Sequence, residues 1–145
     1  MKRRHLRLVG AEPWKAEPDR EEWTSAGGSR CLARRGHTGI WCGYVAIDLG
    51  HPWHGRPWSE IPALMHGGCT WSNLLSVEGS PWWIGFDCGH AGDIHPAFVE
   101  RMPDLAWPGC EYRDLAYVRA ETNDLAAQCE AAAGGSVFME GSGEA

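Results

Sequence analysis

Residues 112 to about 132 carry the clearest helical periodicity in this 145-residue chain, and one helix of that length limits the fold to something it can cover. Leu115, Val118, Thr122, Leu125 and Cys129 recur at three- and four-residue spacing, which lines them along one stripe. Arg113, Glu121, Asp124 and Glu130 fall largely off that stripe. Pro108-Gly109 marks a start for the helix and Gly134-Gly135 a stop. The stretch ahead of it reads as strand. Residues 40–47 are rich in β-formers, with Trp41, Val45 and Ile47 on one face at period two. Residues 64–72 are a second candidate, interrupted by Gly67-Gly68, and residues 81–87 are the most strand-like run of all. Residues 73–80 suit a connection between antiparallel neighbours. A short helical turn is expected from Pro96 through Ala97 to Arg101. The expected fold class is therefore α+β, a small antiparallel sheet of three to four strands packed by one long C-terminal helix. So small a core makes a homodimer that buries tryptophan surface one expectation, since the chain holds nine tryptophans.

Charge divides the chain unevenly. Residues 1–36 hold nine Lys and Arg against five acids, a surplus of +4. Residues 37–145 hold four Arg against fourteen acids, a deficit of −10. The first segment lacks periodicity, and Thr24-Ser25-Ala26-Gly27-Gly28-Ser29 reads as a linker, so residues 1–36 are expected to be a basic, disordered arm. Residues 37–133 are expected to form the single domain, and residues 134–145 a flexible tail. An acidic domain repels phosphate backbones, so duplex nucleic acid is not an expected partner.

The six cysteines, at 31, 42, 69, 88, 110 and 129, form no C-x-x-C pair. Reduced thiols packed as small core residues are the expectation, in a cytoplasmic protein. The charged opening has too short an apolar run for a secretory signal, and no membrane association is expected.

Three blocks concentrate the reactive groups. Gly50-His51-Pro52-Trp53-His54-Gly55 is a glycine-bounded loop in which His51 and His54 could both face a ligand or simply sit exposed in a turn. His66-Gly67-Gly68-Cys69-Thr70 places paired glycines inside a strand candidate, which asks for a bulge or a close backbone approach. Backbone amides exposed there could hold an anion or a developing oxyanion. Asp87-Cys88-Gly89-His90-Ala91-Gly92-Asp93 follows the strongest strand with carboxylate, imidazole and carboxylate in one glycine-hinged turn. Asp87, His90 and Asp93 could ligate a divalent Zn, Mn or Fe ion, or a carboxylate could orient His90 for acid–base work. A third alternative is that the two carboxylates brace the turn. Cys69 and Cys88 are further nucleophile candidates, outweighed by a structural role. The chain has no H-E-x-x-H, P-loop, G-x-S-x-G or EF-hand motif.

Trp41-Cys42-Gly43-Tyr44-Val45, the two histidine–glycine blocks just quoted, and Trp82-Trp83-Ile84-Gly85-Phe86 running into Asp87–Asp93 together resemble a signature of small proteins from bacteriophages, prophages and actinobacteria. Tyr112-Arg113-Asp114-Leu115-Ala116-Tyr117-Val118 fits the C-terminal helix of that group. The resemblance spans about residues 40–128 and implies a viral or mobile-element origin, with no particular activity.

The functional expectation from the residues is a metal-assisted hydrolase of a phosphorylated or nucleotide-like small molecule. His66, Asp87, His90 and Asp93 are its candidate catalytic groups, and Asp87, His90 and Asp93 its candidate metal ligands. His51, Thr70, Trp53 and Trp83 are the candidate substrate contacts. The alternative is a non-enzymatic module that sequesters a small ligand or a host protein, using its tryptophans for stacking.

Overall fold

In the computed structural model, residues 12–74, 82–103 and 109–144 are described, with side chains through residue 134. Five strands build one antiparallel sheet: β1 (Arg20–Thr24), β2 (Arg30–Arg35), β3 (Trp41–Ile47), β4 (Trp71–Leu74) and β5 (Trp82–Asp87). Their order across the sheet is β1-β2-β3-β5-β4, every pair antiparallel. Two α-helices follow, α1 (Pro96–Arg101) and α2 (Leu115–Glu144). The α+β class holds, with five strands instead of three to four.

The extra strands come from the segment expected to be a loose arm. β1 and β2 lie wholly within residues 1–36, and Ser25 to Ser29 make the hairpin turn between them. β1 alternates exposed and partly buried residues on the sheet's edge, so it carries no apolar pattern to read. Long-range polar contacts hold the segment instead. The Arg35 guanidinium donates to the Trp14 and Glu17 carbonyls at 2.7 and 2.8 Å and to Asp19 Oδ1 at 3.0 Å. Glu17 Oε1 accepts from the Tyr112 hydroxyl at 2.6 Å, and Glu17 Oε2 accepts from the Leu115 amide at 2.8 Å. Glu17 thus satisfies one of the amides that every helix start leaves open, and Asp114 Oδ1 satisfies another by accepting from Tyr117 N at 2.9 Å. The expected glycine stop, Gly134-Gly135, lies inside the bounds of α2. Mid-helix glycine costs about 1 kcal/mol relative to alanine, which weakens a helix without forbidding it.

The apolar stripe of α2 covers one face of the sheet. Val118, Leu125, Ala126 and Cys129 pack with Cys31, Ala33, Trp41, Val45, Ile47, Ile84 and Phe86. Helix and sheet come close at Gly43, where an added Cβ would overlap the Thr122 hydroxyl and the Phe86 ring. Thr122, fully buried, turns its hydroxyl onto the Val118 carbonyl at 2.7 Å. Alternation along β5 sends Ile84 and Phe86 to this face and Trp83 to the other, against Leu32 and Tyr44.

Between β3 and β4 the chain makes a long excursion that returns across α2. Of the second strand candidate only its end pairs, in β4; Thr70 N donates to the Gly85 carbonyl just ahead of it, and the residues before that turn away through a Gly68 N to Met65 carbonyl bond. The excursion is pinned by α2 side chains. Gln128 clamps Leu64, accepting from its amide at 2.8 Å and donating to its carbonyl at 2.6 Å. Glu121 Oε1 accepts from the His66 amide at 2.9 Å. Tyr117, Glu121, Asp124 and Gln128 therefore form a second, polar stripe beside the apolar one, and it sets where His66 sits. Among the described residues no helix is long and apolar enough to cross a membrane.

Candidate functional site

Three chain segments meet at the open end of β5: the excursion around His66, the turn from Asp87 to Asp93, and the start of α2. The turn closes on itself, with the Asp93 amide donating to the His90 carbonyl at 2.9 Å and Gly89 N donating to Asp87 Oδ1 at 2.9 Å. A backbone bridge between Asp93 and Glu111 then brings the start of α2 alongside.

Asp93 is the hub. Its side chain is 1% exposed. Oδ2 accepts from His66 Nε2 at 2.8 Å and from the His90 amide at 3.0 Å, while Oδ1 accepts from Arg113 Nε at 2.9 Å. Burial works against its charge, but the donors from His66, Arg113 and the His90 amide outweigh it and hold the carboxyl below the ordinary carboxylate range. An ionised Asp93 can only accept, so His66 Nε2 carries a proton. The other ring nitrogen, Nδ1, lies 2.8 Å from the Tyr117 hydroxyl. In the neutral imidazole Nδ1 accepts the phenol proton, and in the imidazolium it donates to the phenol oxygen. The Tyr117 ring stands edge-on to His66, with centroids 5.3 Å apart, and Arg113 lies over its face at 5.0 Å.

A second histidine–aspartate pair faces the first. His90 Nε2 lies 3.3 Å from Asp87 Oδ1, close enough for ion pairing but not aligned for a hydrogen bond. That nitrogen is buried and has no hydrogen-bond partner among the described residues, while the side chain as a whole is 35% exposed, so the accessible part of the ring lies away from it. The two imidazole centroids are 5.9 Å apart. Gly67 makes this approach possible. Its φ of +69° suits glycine, and a Cβ there would run into the His90 ring. Thr70 completes the cluster by donating its hydroxyl to Asp87 Oδ2 at 2.9 Å.

His66, Thr70, Asp87, His90 and Asp93 thus converge. The other expected contacts do not join them. His51 packs at the far end of the excursion, where Nδ1 accepts from the Trp53 amide at 2.9 Å and Nε2 donates to the Cys129 carbonyl at 2.8 Å. Trp53 is buried in the main core. Trp83, 1% exposed, lies on the opposite face of the sheet under the Arg30 guanidinium. The loop around His51 and Trp53 advertises surface position, but both are held by partners that local pattern does not reveal, and Trp83 is placed by the alternation of β5.

The donor geometry does not favour the expected metal set. Asp93 spends both oxygens on protein donors, Asp87 spends its own on Gly89 and Thr70, and among the described residues no three His, Cys, Asp or Glu side chains stand in position to hold an ion. The glycine amides offer less than expected too: Gly68 N donates to the Met65 carbonyl at 2.9 Å and Thr70 N to Gly85. Burial raises the Cys88 and Cys69 thiols above their ordinary range, which leaves neither activated.

Arg113, Tyr117 and Glu121 are the site residues that the sequence reading passed over. Their signal was present as the 3,4 spacing of Tyr117, Glu121, Asp124 and Gln128 along α2. Helical spacing shows which residues share a face but not what that face meets. The chain matches no family model, no curated protein and no solved structure.

Proposed function

We propose that the chain is a small enzyme of the general acid–base type that hydrolyses a compact polar ester or phosphodiester without a resident metal. Asp93 holds His66 in one tautomer and stabilises the imidazolium that forms when His66 takes up a proton; His90, beside Asp87, supplies the second titratable ring. The observation that carries this reading is the pair of imidazoles 5.9 Å apart at one end of the sheet, His66 hydrogen-bonded to Asp93 and His90 within ion-pair distance of Asp87. Two such rings can divide the work of base and acid between them. Asp87, Asp93, Glu111 and Glu121 surround them with more negative charge than Arg113 offsets, which favours substrates of low charge over phosphomonoesters.

The test is hydrolysis of p-nitrophenyl acetate and bis(p-nitrophenyl) phosphate by the wild-type chain, His66→Gln and His90→Gln, with near-UV circular dichroism as the check on folding. A folded His66→Gln chain is expected to lose about a hundredfold in kcat. Unchanged turnover in that variant ends the proposal. A wild-type rate that needs added zinc or manganese would restore the metal-assisted version.

A second reading is favoured by Trp71, which follows Thr70 on the edge strand and is 36% exposed, and by Trp58, which is 51% exposed. Capture of a small ligand or host protein, or pairing with a second copy, would use that surface; a ligand that stabilises the chain and is returned unchanged would point there. The six unpaired cysteines accord with a cytoplasmic location, and the phage-like sequence blocks with a mobile-element origin.

A further inference from the structure

We propose that the Tyr117 hydroxyl is the catalytic group through which the His66–Asp93 pair reaches its substrate, an inference that rests on the acid–base reading above. Both nitrogens of His66 are already engaged, Nε2 by Asp93 and Nδ1 by Tyr117, each at 2.8 Å. An imidazole bracketed in this way has no lone pair left for a substrate. The phenol oxygen does, because a hydroxyl that donates its one proton keeps acceptor capacity. Tyr117 and His66 are both partly buried, the His66 side chain being 13% exposed. Its ring is held between the His66 edge and the Arg113 guanidinium, and its amide is tied to Asp114, so the hydroxyl is fixed in place.

The step is a double proton transfer coupled to attack. A water that donates to the Tyr117 oxygen breaks its O–H bond as its electron pair forms the new bond to the ester carbon or phosphorus. Its proton passes to Tyr117 Oη while the phenol's own proton passes to His66 Nδ1, giving an imidazolium beside ionised Asp93. In an ester this attack displaces the carbonyl π pair onto its oxygen; as that pair returns, the bond to the leaving group breaks with its electron pair on the leaving oxygen, and the proton held at His66 returns through Tyr117 to that oxygen. No phenolate accumulates, so the upward shift of the phenol, caused by burial and then by Glu121, is no obstacle.

Four chains decide the matter: wild type, Tyr117→Phe, His66→Gln and the double variant, assayed on p-nitrophenyl acetate across pH, with an aryl sulfonyl fluoride used in parallel and its adduct located by mass spectrometry. The expected result is a loss of about a hundredfold in kcat for Tyr117→Phe at nearly constant KM, with little further loss in the double variant. The sulfonyl adduct is expected on Tyr117 and is expected to fall by about tenfold in His66→Gln. If folded Tyr117→Phe keeps the wild-type kcat while His66→Gln loses it, Tyr117 is a spacer, and the acid–base reading stands without it. If His66→Gln keeps both turnover and the Tyr117 adduct, the acid–base reading fails and takes this inference with it. An adduct on His66 or His90 with none on Tyr117 overturns the inference whatever the turnover.

Discussion

His51 and His66 stand near opposite ends of the same excursion, and each has both ring nitrogens bonded, yet they are chemically unlike. His51 is held by the Trp53 amide and the Cys129 carbonyl, groups that do not exchange protons with it near neutral pH. His66 is held by a carboxylate and a phenol, groups that can. Occupied nitrogens therefore do not distinguish a structural histidine from a reactive one; the identity of the partners does. The first ring fastens a loop to a helix, and the second sits in a chain of titratable groups.

The comparison breaks most visibly at Asp93. Asp93→Ala removes the acceptor shared by His66, Arg113 and the His90 amide from a buried position, and is expected to cost about 3–5 kcal/mol in urea unfolding. A loss below 1 kcal/mol would show that the hub is not holding the three segments together. His51→Ala strands the Trp53 amide at about 1–3 kcal/mol, removes a second donor from the Cys129 carbonyl, and is expected to lower the melting temperature while leaving p-nitrophenyl acetate turnover per folded molecule unchanged. Turnover lost along with stability would erase the distinction between the two histidines. Gly67→Ala forces a left-handed conformation at about 1–2 kcal/mol and pushes against the His90 ring, so the His90 imidazole resonances are expected to shift in NMR spectra while those of His51 stay put.

The smallest expected effect is in pH. Asp93 has a lowered folded pKa, so its ionised form stabilises the fold above the ordinary carboxylate range, and that contribution disappears as pH falls through the lowered value. Acid unfolding of Asp93→Asn is therefore expected to show a shallower loss of stability than wild type across that window. Equal slopes for the two chains would mean that Asp93 is not the group being titrated.

Much of the reactive inventory was legible beforehand, because the glycine-hinged blocks at residues 66–70 and 87–93 are local features. Within each block the chain itself dictates proximity, and Asp87, His90 and Asp93 could not lie far apart. The pairing of His66 with Asp93 spans 27 residues and that of His66 with Tyr117 spans 51. Neither separation leaves any trace in periodicity. His51 and Trp53 stand apart from the cluster for the same reason in reverse: loop composition suggests exposure and distant partners decide burial, while strand alternation turns Trp83 to the other face of the sheet.

The sequence by itself determined β3, β5 and the apolar stripe of α2, since alternation at two residues and recurrence at three to four are imposed by backbone geometry and survive without knowledge of the fold. Tertiary structure alone decided that residues 20–35 join the sheet, because Glu17 and Arg35 act on groups up to 98 residues away and β1 has no buried alternation to announce it. It also decided which histidine would meet a carboxylate and a phenol. That choice depends on where Gln128 and Glu121 pin the excursion, a matter of side-chain hydrogen bonds formed only after helix and sheet have packed.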